Sequence, residues 1–68
     1  MIAYTDYPLF ESEYGKKAPV REVEVTKYDG DKYCIVEYGD NSFEVKLGYL
    51  YKDPTLTVPV WIKDVIDL

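Results

Sequence analysis

The sequence predicts a small all-β domain of antiparallel strands, with one short helical turn near its C-terminal end. Two observations carry that expectation. Between Pro19 and Tyr51, three segments rich in β-branched and aromatic residues are separated by two tight-turn signals, the pattern of a three-stranded meander. The chain has 68 residues, a length that suits one domain with a small core.

Residues 1–19 read as an irregular segment. Pro8 and Pro19 punctuate it, and Tyr14-Gly15-Lys16-Lys17 has the composition of a turn. Ile2, Tyr4, Tyr7, Leu9, Phe10 and Tyr14 carry too much apolar surface for a disordered tail. Ser12 or Asp6 would suit a helical cap, but Pro8 and Gly15 leave room for little more than a turn.

The meander spans residues 20–51. In Val20 to Tyr28, Val23 and Val25 share one face while Glu22, Glu24 and Thr26 share the other. Asp29-Gly30-Asp31 breaks this strand. Lys32 to Tyr38 is apolar on both faces, with Cys34, Val36 and Tyr38 on one and Tyr33 and Ile35 on the other. A central strand covered on both sides reads this way, so a terminal segment is expected over Tyr33 and Ile35. Gly39-Asp40-Asn41-Ser42 is the second turn. In Phe43 to Leu50, Phe43, Val45, Leu47 and Tyr49 point inward and Glu44 and Lys46 outward.

Lys52-Asp53-Pro54 reads as a further turn. Thr55 to Val60 follows with Leu56, Val58 and Val60 in period two, and Pro59 makes it an edge strand or a strand end. In residues 61–68 the period changes: Trp61, Ile62, Val65, Ile66 and Leu68 fall at helical spacing, enough for a short helix or 3₁₀ turn held by packing. A sheet of this size leaves apolar surface uncovered, so a closed, SH3-like small barrel is the expected architecture.

The start of the chain adds a likeness. Ala3-Tyr4-Thr5-Asp6-Tyr7 resembles the Ala-Leu-Tyr-Asp-Tyr motif that opens SH3 domains. The match covers five residues; the paired tryptophans and the Pro-Ser-Asn-Tyr segment of that family have no counterpart here. The resemblance implies a barrel in which Tyr4 and Tyr7 line a groove for proline-rich peptides.

Composition narrows the function. Thirteen carboxylates against eight Lys and Arg disfavour direct binding to a nucleic-acid backbone, which draws its affinity from clustered cations. Lys16, Lys17 and Arg21 are the one local basic group. There is no histidine and a single cysteine, so neither an internal disulfide nor a usual zinc set is expected, and no metal or cofactor. A lone thiol fits a reducing compartment, and no leader or membrane-length apolar run is read, so a cytoplasmic protein is expected (host cytoplasm if a phage encodes it).

Catalysis is not expected either. Cys34 lies mid-strand among apolar residues and reads as a small buried hydrophobe. Asp29 and Asp31 sit at one hairpin tip and Asp40 at the other, roughly 20 Å away by strand length. These acids and their glycines are turn formers, and neither turn has the ligand pattern of a calcium loop.

Eight tyrosines are many for 68 residues, and two readings fit them: an aromatic and acidic binding face, or a shallow core in which Tyr replaces Leu and Phe with hydroxyls reaching water. Parity places Tyr38 and Tyr49 inside, and a rigid aromatic beside an acid suits a recognition surface. The candidate protein-binding residues are Tyr4, Tyr7, Glu11, Glu13, Tyr14, Tyr28 and Tyr51. The expected function is a small acidic protein-interaction module, whose charge either suits a partner of basic surface or simply keeps the chain soluble. Phage- or prophage-encoded inhibitors that bind and modulate a host protein have this profile. One alternative is an SH3-like or Tudor-like module reading peptides through a tyrosine-rich cleft. Another is a self-associating structural protein, a homodimer joined through an edge at Thr55–Val60 or Val20–Tyr28.

Overall fold

A computed structural model describes all residues, 1–68. It is mainly β: β1 (Ile2–Thr5), β2 (Arg21–Tyr28), β3 (Tyr33–Tyr38) and β4 (Asn41–Lys46) form one antiparallel sheet in sequence order. Two 3₁₀ turns, Glu11–Glu13 and Leu47–Tyr49, and one short helix, α1 (Ile62–Val65), complete it. No helix is long and apolar enough to cross a membrane.

The meander forms where its turn residues allow. At the second turn Tyr38 pairs with Asn41, leaving a two-residue loop whose first position, Gly39, has φ 61°. That is the type II′ arrangement, in which glycine adopts a backbone that a side chain would strain. At the first turn the Asp29 carboxylate accepts the backbone N–H groups of Asp31 and Tyr33, at 2.7 and 3.1 Å.

One face of the sheet is covered. Ala3, Val23, Val25, Cys34, Val36 and Val45 point to it, and Leu9, Leu50, Val60 and Val65 from the connecting segments and α1 close over them. Thr5, also fully buried, accepts the Tyr7 backbone N–H at 3.1 Å. The helix is started by Asp64, which accepts the Trp61 backbone N–H at 2.8 Å and pairs with Lys52 at 3.0 Å. Of the apolar residues at helical spacing in 61–68, Val65 alone is buried.

The structure corrects seven expectations. Ile2–Thr5, read as part of an irregular segment, pairs with β2 as strand β1. Val20–Tyr28, offered as an edge for a homodimer, is held inside the sheet as β2, between β1 and β3. The sheet is open, not a closed barrel. Closure would need the 55–60 segment to reach β4, but a single bridge between Tyr51 and Pro59 holds it on the β1 side. Nor is 55–60 a strand. The Asp53 carboxylate accepts the backbone N–H groups of Thr57 and Val58 at 3.0 and 2.8 Å and the hydroxyls of Thr55 and Thr57. This winds the segment into a turn, with Leu56 at φ 59°. The third strand stops at Lys46 because the chain enters the 3₁₀ turn, which swings Tyr49 out to 42% exposure. No terminal segment covers Tyr33 and Ile35; the connecting segments all pack on the opposite face, and these two stay half-buried. Finally, the core is aliphatic: no tyrosine is buried, and Tyr38 is 37% exposed.

Candidate protein-interaction surface

Strand parity builds the uncovered face. Ile2 and Tyr4 of β1, Glu22 and Glu24 of β2, Tyr33, Ile35 and Glu37 of β3, and Ser42, Glu44 and Lys46 of β4 all point away from the core. Lys27 joins them through an irregularity. The register slips between Val25 and Lys27, leaving Thr26 as an extra residue whose hydroxyl donates to the Ile35 carbonyl at 3.3 Å. The slip turns Lys27 outward and Tyr28 inward against the core, the reverse of simple alternation.

This face carries Glu22, Glu24, Glu37 and Glu44 against Lys27, Lys46 and the Met1 ammonium, with the carboxylates of β2 and β3 grouped together. Glu24 lies directly across from Glu37, and Glu22 is two residues along the same strand. Like charges opposite one another on a sheet destabilise it. The Met1 ammonium, 2.6 Å from Glu24, offsets part of that repulsion. The Tyr4 hydroxyl donates to Glu22 at 3.3 Å, and partial burial together with the Glu22 charge raises the Tyr4 pKa. Lys46 lies over the Tyr33 ring at 5.9 Å.

The residues singled out by sequence fall into separate places. Tyr4 and Tyr51 are neighbours on the β1 side, exchanging backbone hydrogen bonds of 2.7 and 2.8 Å. Tyr7 stacks on Tyr49, ring centres 4.5 Å apart, and with Pro8, Leu9, Tyr14, Ser42, Phe43 and Glu44 lines a cleft of about 370 Å³. Tyr28 lines a second cleft of about 440 Å³ with Lys32, Lys46, Leu47, Gly48, Tyr49 and Ile62. The Tyr7–Tyr49 stack therefore contributes one ring to each cleft. Tyr4, which the SH3 likeness pairs with Tyr7, lines neither. Glu11 is exposed on its 3₁₀ turn.

Glu13 is committed to the fold. Both of its carboxylate oxygens pair with the Arg21 guanidinium, and Oε1 also accepts the backbone N–H groups of Leu9 and Phe10 at 3.1 and 3.3 Å. The Arg21 hydrogen bonds hold the Glu13 pKa down to about 2, against partial burial. Arg21 in turn lies over the rings of Phe10 and Tyr38, at 5.4 and 5.3 Å. Tyr38 is thus an exposed wall of an arginine pocket.

Cys34 is fully buried, and burial, with a smaller effect from Asp29, raises its thiol pKa. No three His, Cys, Asp or Glu side chains gather where they would hold a metal ion. Sequence reasoning missed Glu22, Glu24 and Glu37 as a group. Their parity was legible, but the side of the sheet left open was not.

Set against models of known families, curated proteins and solved structures, the chain matches none.

Proposed function

We propose that this chain is a non-catalytic interaction module that binds a protein of basic surface with the uncovered face of its sheet. The observation that carries the reading is the opposition of Glu24 and Glu37 across β2 and β3, with Glu22 beside them. A cationic partner would relieve what the Met1 ammonium leaves of that repulsion. Half-buried Tyr4, Tyr33 and Ile35 lie among the carboxylates and supply contact area that needs little ordering. A protein that inhibits a target by occupying a basic surface is one form such a module takes.

A second reading uses the cleft of Tyr7, Pro8, Leu9, Tyr14 and Phe43, which has the aromatic lining that proline-rich peptides favour. It ranks below the first because Tyr4 does not line that cleft.

The test is capture from a nuclease-treated lysate on a tagged chain. A stoichiometric protein should be retained at about 0.1 M salt and released near 1 M, where the screening length falls from roughly 10 to 3 Å. The variant E22Q/E24Q/E37Q should lose it while E11Q, outside this face, keeps it. Retention by both variants alike would overturn the assignment of the face.

A further inference from the structure

We propose that two copies of this chain pair through β4, antiparallel about Val45, to make one continuous eight-stranded sheet. The inference does not depend on the acidic-face reading.

Leu47 donates its N–H to the Lys32 carbonyl at 2.6 Å, which marks that position as a hydrogen-bonded pair of the β3–β4 ladder. Hydrogen-bonded and non-bonded pairs alternate along an antiparallel ladder. Cys34–Val45, Val36–Phe43 and Tyr38–Asn41 are therefore the bonded pairs in this register. Ser42, Glu44 and Lys46 turn their N–H and C=O groups the other way, toward the free edge of β4. No backbone or side-chain hydrogen bond outside the sheet reaches them. The opposite side of the sheet is already occupied: Tyr51 bonds both ways with Tyr4, and Pro59, which has no N–H, lies beyond Tyr51.

An exposed edge of this kind recruits another strand unless something blocks it. The side chains here make β4 its own complement. A two-fold axis at Val45 sets Glu44 of one copy across from Lys46 of the other, and Lys46 across from Glu44. Both positions have backbone groups facing the edge, so each pair exchanges two hydrogen bonds. Both side chains stand on the uncovered face, so each pair also matches a carboxylate with an ammonium. On the covered side the same register brings Val45 opposite itself. Because the other side of the sheet is occupied, the association closes at two copies and does not propagate.

Sedimentation equilibrium of the whole chain, over concentrations from about 1 μM to 1 mM, tests it. Wild type should shift from monomer to dimer and stop there. E44K and K46E each set like charges across both contacts and should weaken the dimer at least about tenfold. The double variant E44K/K46E exchanges the charges and should restore it, and its recovery also shows that the single variants failed through charge and not through misfolding. A wild type that stays monomeric throughout overturns the proposal. So does a dimer equally tight in all four proteins, which would place the interface elsewhere, for instance on the exposed apolar residues Trp61, Ile62, Ile66 and Leu68.

Discussion

Glu13 and Arg21 show how much a single pair does in a chain with twelve buried residues. The carboxylate closes the 3₁₀ turn through Leu9 and Phe10 and ties the N-terminal segment to the start of β2. Its pKa lies below the ordinary 4.5, at about 2. A carboxyl held down in the folded state contributes stability that is complete above its unfolded value and is lost as pH falls through the folded one. Glu13→Gln should therefore lower the melting temperature at neutral pH. The gap to wild type should narrow between pH 4.5 and about 2 and be gone below that. Thermal melts of both proteins across this range check it; a gap independent of pH would show that the carboxylate charge is not the cause. Asp64, also depressed, through the Trp61 N–H and Lys52, adds acid sensitivity of the same sign.

Among the elements, the segment after β4 departs furthest from its sequence pattern. Period-two spacing of Leu56, Val58 and Val60 describes a strand, and the backbone forms a turn. The competing signal was present in Asp53-Pro54-Thr55 and Thr57: a carboxylate placed to accept nearby hydroxyls and amides offers the backbone an alternative to ladder bonds. Asp53→Ala should release that turn. Amide hydrogen exchange should accelerate at Thr57 and Val58, whose N–H groups lose their acceptor, and remain slow at Val36 and Val45 in the sheet. Unchanged protection at Thr57 would mean that packing, not Asp53, holds the loop.

The meander was legible because turn residues and alternation agree there: Gly30 and Gly39 take positive φ, and Val23, Val25, Cys34, Val36 and Val45 are all buried. The slip at Thr26 was not, since nothing local announces which residue a bulge will leave unpaired, and it reversed the faces of Lys27 and Tyr28. Tyr38 and Tyr49 also escaped, for different reasons. Tyr38 obeys parity but reaches past the end of the core to Arg21, while Tyr49 lies beyond the point where β4 ends.

For the whole molecule, the open sheet replaces the expected barrel and thereby creates both surfaces of interest. A closed barrel would have no free edge at β4 and would turn one face fully inward. Here the connecting segments and α1 cover one face with aliphatic side chains, and the other keeps Glu22, Glu24, Glu37 and Glu44, with Lys27 and Lys46, beside Tyr4, Tyr33 and Ile35. The candidate residues read from sequence were surface aromatics in the irregular N-terminal segment and at strand ends. They are dispersed over two clefts and the β1 side, because aromatic content marks contact potential and not location. The acids that share a face were hidden in ordinary strand alternation.

The most direct measurement is amide chemical-shift mapping of the ¹⁵N-labelled chain during titration with the protein it captures. Perturbations should concentrate on Tyr4, Glu22, Glu24, Tyr33, Ile35 and Glu37 and diminish as salt is raised. A perturbed set centred on Tyr7, Tyr14 and Phe43, or on Trp61, Ile62 and Ile66, would contradict the account and move recognition to the clefts or the helix.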